Sequence, residues 1–408
     1  MPEPLRILSL SSPLTRSTAV SAVTDGIATR LARAGVTHRF LTAGGGPFDA
    51  LLIVSGGTEH LALTALESAD GPAILLAHPE RNSLPATLEI VSALRLRGRP
   101  ARIVMVGEAT AGEASLGRLV RLLDVRRRLR ATRFGRIGAP SEWLVASVPS
   151  AETVAATWGP TLVDVPIEEV VEAFHEADPT TEAAAIRERV VGGADSVREP
   201  SPANLDAAAR VVGALRSVVR RHHLDACTVR CFDLVTGLST TGCLALSWLL
   251  DEGMVAGCEG DVPATLTMLW LQLLTGEPAF MANPQTLDPA ANTLDLAHCT
   301  VARRLLSRYE LRSHFESSLG VGIAGRFEPG PATLARIGGA DLREAFVSAA
   351  EIVGSGMLEE RCRTQVTVRL ASPVTELLTR PLGNHHVLAR GDWAAELREY
   401  HELLIART

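Results

Sequence analysis

The chain has no lysine, so all of its 40 basic side chains are arginines. Schiff-base aldolases and pyridoxal-phosphate enzymes need a lysine amine, and Walker phosphate-binding loops need a Gly-Lys pair. These mechanisms are therefore excluded. Any chemistry must use acids, histidines, thiols, hydroxyls or a metal ion.

Strong charge, long apolar runs and paired cysteines are also missing. The net charge is −6 over 408 residues, and no basic tract is interleaved with aromatic residues, which argues against a nucleic-acid partner. No apolar run is long enough to cross a membrane, and the start "MPEPLRILSL" lacks the features of a signal peptide. The six cysteines contain no CxxC pair and are too sparse for a disulfide scaffold. We therefore expect a cytoplasmic protein with reduced thiols and no membrane or nucleic-acid partner.

The first half of the chain alternates short apolar runs with amphipathic stretches. The runs "LRILSL", "DALLIVSGG", "GPAILLAH" and "ARIVMVGE" are each followed by a helical pattern. This alternation predicts a doubly wound α/β fold with parallel sheets. We expect a Rossmann-like domain over residues 1–132 and a second α/β unit over residues 133–200.

Residues 201–408 have a different character and are predicted to form the C-terminal catalytic domain. Here "ACTVRCFDLV" predicts a buried strand, "TTGCLALSWLLDEG" a helix, and "MVAGCEG" a further strand. A long apolar helix should then begin near Asp261 and end at Gly276. Alternating polar and apolar residues beyond Thr293 predict shorter antiparallel strands, and therefore a β-rich, barrel-like end.

Polar residues that follow the predicted strands are the first candidates for a site, because ligands of α/β sheets gather at the carboxyl ends of strands. Residues so placed are Ser55, Glu59 and His60, then His78, Asn82 and Ser83, and further along Asp233, Glu259 and Asp261. Two later segments add the imidazoles of His298, His385 and His386. Ordinary structural roles remain open: Asp261 is well placed to cap a helix, Asp233 suits a turn, and adjacent histidines occur in cores. Two acids with one imidazole nevertheless suit Mn²⁺ or Mg²⁺ better than a structural zinc site.

Together these segments resemble the L-fucose isomerase/L-arabinose isomerase family, in particular its shorter members. The resemblance covers about residues 50–400 and is carried by "GGTEHLAL", "LLAHPERNSLPATLEI", "GRIGAPSEWLVAS", "VRCFDLVTGLSTTGCLAL", "GCEGDVPATLTM", "FMANPQTLD", "LAHCTV" and "GNHHVLARGDWAAEL". It implies a catalytic divalent ion, Mn²⁺ with Mg²⁺ or Co²⁺ as alternatives, held by two acids and a histidine.

The resemblance also implies roles for particular residues. Asp261 takes the second acidic position and His385 the histidine position, while the first acidic position, commonly a glutamate, falls near the shorter Asp233. His298 corresponds to an additional histidine near the metal, and Glu259 is expected to support the ligands or contact substrate.

Family members are longer and complete one another's sites, so the resemblance implies a homo-oligomer, a trimer or hexamer. The segments "HPERNSLP" or "SGGTEH" of one subunit would then reach a neighbour's site. The predicted substrate contacts are Glu59, His78, Asn82, Ser83 and His386.

The predicted function is metal-dependent aldose–ketose isomerisation of a sugar or sugar derivative through an enediolate. Asp233 and Asp261 would combine metal binding with proton transfer. Two alternatives remain. One is an epimerase, dehydratase or lyase that uses the same site on a non-standard substrate, and the other is a non-catalytic sugar-binding protein.

Overall fold

The computed structural model describes residues 4–41, 46–69, 71–106, 110–176 and 182–405. The chain divides into two compact units, residues 1–127 with 398–408, and residues 128–397. The predicted boundaries after residues 132 and 200 stay predictions.

The first unit alternates strands and helices as the apolar runs predict. Its strands are β1 (Leu5–Leu10), β2 (His38–Leu41), β3 (Ala50–Ile53), β4 (Ala73–Ala77) and β5 (Ala101–Met105). Its helices are α1 (Ser17–Arg33), α2 (Glu59–Glu67), α3 (Ser83–Leu96) and α4 (Thr110–Ala131), the last of which crosses into the second unit.

The five strands form one parallel sheet in the order β2-β1-β3-β4-β5. Apolar residues of α1 and α4 pack in one core cluster, and those of α2 and α3 pack in another. The sheet is therefore covered on both faces, which is why β3 and β4 are apolar throughout. The predicted doubly wound arrangement is confirmed.

The second unit begins with another α/β layer. Its elements are β6 (Arg133–Ile137), α5 (Ala151–Thr157), β7 (Thr161–Val165), α6 (Glu168–Glu176), α7 (Glu182–Gly192), α8 (Pro202–Arg221), β8 (Ala226–Val229), α9 (Cys231–Leu238), α10 (Cys243–Asp251), β9 (Val255–Cys258) and α11 (Val262–Thr275). The strands form a parallel sheet in the order β7-β6-β8-β9.

The remainder of the chain is mainly antiparallel. Its elements are β10 (Phe280–Asp288), β11 (Thr293–His298), β12 (Arg308–Arg312), β13 (Gly322–Arg326), β14 (Gly330–Gly338), β15 (Glu344–Gly354), β16 (Thr364–Leu370), α12 (Glu376–Thr379), β17 (His386–Arg390) and α13 (Ala394–Leu404). Six strands close into a barrel in the order β10-β11-β16-β15-β14-β17, while β12 and β13 pair separately. The predicted barrel-like end is confirmed.

One predicted element is wrong in its second half. The segment "ACTVRCFDLV" forms a strand only to Val229, and helix α9 begins at Cys231. The apolar residues continue past the strand because α9 buries one side, including Leu234. Asp233 therefore lies in the first turn of a helix rather than directly after a strand.

Among the residues that the structure describes, no helix is long and apolar enough to cross a bilayer.

Candidate metal centre

The turn after β9 carries the residue at the middle of the candidate site. β9 is fully buried, and the two residues that follow, Glu259 and Gly260, both have left-handed backbone angles, with φ of 65° and 73°. A side chain at Gly260 would meet the backbone of Pro140, so only glycine fits there. A left-handed glutamate is uncommon, and strain of this kind concentrates at functional sites. The turn directs the Glu259 carboxylate away from the sheet.

Glu259, His298 and His385 converge on one point, and all three are buried. Their ligand atoms lie within 4.8 Å of one another. Oε1 of Glu259 is 3.4 Å from Nε2 of His385 and 3.8 Å from Nε2 of His298. A carboxylate with two imidazoles is a donor set that first-row divalent ions accept, and three protein ligands leave positions open for substrate. This group could hold a metal ion.

Glu259 is fixed both at its carboxylate and at its backbone carbonyl. Trp143 Nε1 donates a hydrogen bond of 2.7 Å to Oε2, so Oε1 is the atom that faces the imidazoles. The backbone carbonyl of Glu259 accepts a bond from the amide of Ser141. The Trp143 ring also packs edge-on against Phe232, with centroids 4.9 Å apart. The orientation of the carboxylate is therefore set before any ligand binds.

His385 is oriented from behind by Asp261. Nδ1 of His385 donates to Oδ2 of Asp261 over 2.9 Å, which directs Nε2 towards Glu259. Nε2 is buried and forms no hydrogen bond with any described residue. A buried nitrogen with no hydrogen-bond partner can serve as a metal ligand once it is deprotonated, and a carboxylate on the other nitrogen is the usual support of a ligating histidine.

Asp261 is itself held by a buried arginine and a helix. Nη1 of Arg336 lies 3.1 Å from both carboxylate oxygens, and both side chains are fully buried. Oδ1 also accepts a 2.8 Å bond from the amide of Ala264, so Asp261 is the N-cap of α11. Nη2 of Arg336 donates to Ser147 Oγ. The predicted helix cap at Asp261 is confirmed.

The charges of these groups shift one another's pKa values. Burial by itself would lower the pKa of His385, but hydrogen bonding to Asp261 and the nearby Glu259 carboxylate raises it to about 9. Burial would raise the pKa of Asp261 and of Glu259. The Arg336 charge and His385 hold the first below its usual range, and the two histidines do the same for the second. Both carboxylates are therefore ionised at neutral pH.

His298 differs from His385 in its tautomer. Its Nδ1 accepts a 3.2 Å hydrogen bond from the backbone amide of Thr300, so the neutral ring carries its proton on Nε2. That proton points towards Glu259 Oε1. Glu259 is ready to bind a cation as it stands, whereas His385 would have to lose the proton that its raised pKa retains at neutral pH, and His298 would have to release its Nε2 proton or turn its ring.

Two of the three residues, Glu259 and His298, border a pocket of about 340 Å³ in the second unit. The residues that line it are Trp143, Cys231, Phe232, Cys243, Cys258, Glu259, Asn283, His298, Cys299, His314, Glu316, Cys362 and Asn384. An aromatic wall, two amide side chains and a buried ligand group are suited to a small polyhydroxylated molecule. Cysteines make up much of the remaining wall.

The structure does not bring Asp233 to this group. Its Oδ1 accepts a 2.8 Å bond from Nε of Arg230 in the same helical turn, and its side chain is 36% exposed. Arg230 also pairs with Glu142. Asp261 stands behind His385, with both of its oxygens already bonded to Arg336. Of the two predicted acids, Asp233 thus lies outside the group and Asp261 supports it from behind His385, while Glu259, expected in a supporting role, is the carboxylate inside it.

The predicted substrate contacts lie in two places. Four are in the first unit, at the carboxyl ends of β3 and β4: Glu59, His78, Asn82 and Ser83. His78 is buried, and its Nε2 donates to the carbonyl of Val54. His386, in β17, packs against Phe346, and burial with the nearby Arg336 charge lowers its pKa to about 4. Contact of these residues with substrate stays a prediction.

Two residues of the site were not among the residues predicted from the sequence. Arg336 lies in β14, in a segment that reads only as an alternating strand, and Trp143 is 51% exposed in an irregular stretch. For Arg336, the sequence offered one indication. An arginine on the inner face of a predicted strand would be buried, and a buried arginine requires an acidic partner.

No protein-family model matches the chain. It is similar to the sulfoquinovose isomerase of Clostridium sp. (strain MSTE9), with 28% identity over 232 residues, which is 56% of this chain and 51% of that protein. The sulfoquinovose isomerase of Alkalicoccus urumqiensis is 24% identical over 309 residues, 72% of this chain and 68% of that protein. That of Priestia aryabhattai is 25% identical over 193 residues. The chain spans about half the length of the first relative. Identities this low support a relationship at the level of the family and not identity with one particular member.

Proposed function

We propose that the protein is a metal-dependent aldose–ketose isomerase of the L-fucose/L-arabinose isomerase-like kind. The convergence of Glu259 Oε1 with the imidazoles of His385 and His298 beside a pocket is the observation that carries the proposal. The similarity to proteins named sulfoquinovose isomerase supports the same reaction class. The free state of all six cysteines supports a reducing compartment, and we place the protein in the cytoplasm.

Glu259 and His385 are the proposed primary ligands, with His298 as the third. A bound divalent cation would stabilise the negative charge that develops on the substrate oxygens as the enediolate forms. Two nitrogen donors favour Mn²⁺ or Co²⁺ over Mg²⁺, which prefers oxygen ligands. Asp261 holds His385 in the ligating tautomer, and Arg336 keeps Asp261 ionised and fixed.

Isomerisation moves one proton from C2 to C1 of the sugar and another from O2 to O1. The titratable side chains that line the pocket within the described residues are Glu259, His298, His314 and Glu316, besides the cysteines. We assign the proton transfers to this set, in place of Asp233 and Asp261. Trp143 and Phe232 offer apolar faces for the sugar ring, and the amides of Asn283 and Asn384 offer partners for its hydroxyls.

The pocket as this chain forms it favours an uncharged sugar. Its described lining contains the carboxylates Glu259 and Glu316 and no arginine. A sulfonate would need a cation from a neighbouring subunit, for which Arg81 in "HPERNSLP" is our candidate. Arg81 and Arg30 line a separate cavity of about 430 Å³ in the first unit. The proposal therefore includes a homo-oligomer in which that segment reaches a neighbour's pocket.

The test is turnover in deuterated water with protein loaded with Mn²⁺ or stripped of metal. We expect conversion of an aldose to its ketose with deuterium incorporated at C1 of the ketose, and loss of both after chelation. Product identification by NMR separates isomerase from epimerase, dehydratase and lyase. Full activity of protein shown to be metal-free by elemental analysis would refute the proposal.

The substrate class is tested with a matched pair, sulfoquinovose and 6-deoxyglucose, which differ in the sulfonate. A higher kcat/KM for the uncharged sugar is the expected result. A higher kcat/KM for the sulfonated sugar that falls with added salt and with Arg81→Gln would instead assign the cation to the neighbouring subunit.

A further inference from the structure

Two thiols of the pocket wall lie in contact at the carboxyl ends of neighbouring strands. Cys258 is the last residue of β9, and it pairs in the parallel register with Val229 at the end of β8. Cys231 lies two residues after Val229 and is the first residue of α9. Both cysteines border the pocket, although their side chains are buried from the outside.

The Sγ atoms of Cys231 and Cys258 are 2.8 Å apart. A disulfide has a sulfur–sulfur distance of about 2.05 Å, so bond formation requires an approach of about 0.7 Å. Most cysteine pairs in a fold would need backbone movement to reach that geometry. This pair needs only a small shift, and the pocket gives a small oxidant a path to it.

We propose that Cys231 and Cys258 form a reversible disulfide, and that the pocket admits the hydroperoxide that produces it. The first thiolate attacks the O–O bond, which gives a sulfenic acid and releases water or an alcohol. The second thiol then displaces the hydroxyl group as water and closes the S–S bond. With hydrogen peroxide, two thiols lose two protons and two electrons, and the peroxide is reduced to two water molecules.

The disulfide acts on the neighbouring ligand. Glu259 follows Cys258 directly and has a left-handed backbone conformation. Its backbone carbonyl and its carboxylate are both hydrogen-bonded, so the residue cannot shift without breaking these bonds. Contraction of the sulfur pair draws the end of β9 towards the first turn of α9. A displacement approaching 1 Å at a catalytic group can cost about a hundredfold in rate, so we expect isomerase turnover to fall by about tenfold or more.

The experiment treats the reduced full-length protein with hydrogen peroxide and maps its cysteines by alkylation and mass spectrometry. The expected result is a crosslink between the peptides of Cys231 and Cys258, with activity lost in parallel and recovered with dithiothreitol. Bound substrate should slow the crosslinking, because it fills the pocket. Cys227, which is fully buried and does not line the pocket, is an internal control that should remain unmodified.

Variants make the assignment specific. In Cys231→Ser and Cys258→Ser, which cannot form the crosslink, the loss of activity that dithiothreitol reverses, relative to each variant's own reduced activity, should be much smaller than in the parent. Cys227→Ser, a change in the neighbouring part of the same sheet, should keep the reversible response. A crosslink confined to two other cysteines of the pocket wall, Cys299 and Cys362, or a dithiothreitol-reversible loss in Cys231→Ser as large as that of the parent, would overturn the inference.

The effect on turnover rests on the proposed function, but the crosslink does not. A protein that forms the crosslink without isomerase activity would refute the function and leave the thiol pair established. An active isomerase without the crosslink would refute the thiol pair alone.

Discussion

The substitution Asp261→Asn separates the structural role of this residue from its role at the site. Asparagine keeps an oxygen that accepts the bond from the Ala264 amide, so the N-cap of α11 should survive. The second carboxylate oxygen becomes an amide group that donates hydrogen bonds. It would face Nδ1 of His385, which donates in the parent. We therefore expect His385 to take the other tautomer, with its proton on Nε2, the nitrogen that should bind the metal.

The change also removes the counter-charge of Arg336. Arg336 is fully buried, and its remaining partners are Ser147 Oγ and the carbonyl of Leu382. Breaking a buried ion pair by removing one member costs about 3–5 kcal/mol, much more than the few tenths expected for exchanging one good N-cap for another. Asp261→Asn should accordingly lower the free energy of unfolding by about 3 kcal/mol or more in the absence of metal.

Urea denaturation with and without Mn²⁺ measures both effects, and the double variant Asp261→Asn with Arg336→Met is the control. The double variant should recover part of the stability, because no unpaired charge remains buried, but not the metal-dependent stabilisation. Turnover should be lost in both proteins. Parental stability and Mn²⁺ binding in Asp261→Asn would reduce this residue to a helix cap and refute the reasoning.

Three further predictions follow from the same geometry. In the metal-free protein, the pKa of His385 is about 9, against about 6.5 in the unfolded chain. The stability that this shift contributes is therefore complete below pH 6.5 and is lost as the pH rises through 9. Urea denaturation in the presence of a chelator across this pH range measures the loss. Mn²⁺ affinity, measured by titration calorimetry, should rise with pH up to about 9, because His385 must lose its proton to bind. Asp233→Asn should change the free energy of unfolding by less than about 1 kcal/mol and leave most turnover, since its ion pair with Arg230 is partly exposed. Glu259→Gln, in contrast, should abolish the stabilisation of the protein by Mn²⁺. Equal effects of the two changes would contradict the proposed site.

The alternation of apolar and polar runs was sufficient to predict most of the fold. Parallel strands, the long helix from Asp261 to Gly276 and the antiparallel end all follow from periodicity and capping, which are local properties. The end of β8 could not be predicted, because the strand is followed directly by a half-buried helix, and apolar residues therefore continue past the end of the strand. That error placed Asp233 in the wrong element.

The candidate site was predictable in its residue types but not in its roles. His385, His298 and the acids after β9 were recognisable from chemistry and family resemblance. Two features decide which acid faces the imidazoles. One is the left-handed turn at Glu259, and the other is Arg336, which binds the carboxylate of Asp261. Both are set by side chains distant in the sequence, and a single sequence does not contain that information.

The site also depends on the order in which the chain is made. The bond between His385 and Asp261 joins residues 124 positions apart, and β17, which follows His385, closes the barrel by pairing with both β10 and β14. Contacts this far apart form late, because the loop between them must be closed first. During translation, the ligand group cannot assemble until almost the whole second unit has left the ribosome. High-affinity Mn²⁺ uptake should therefore appear only with barrel closure, so that in refolding experiments metal binding reports the last step rather than the first.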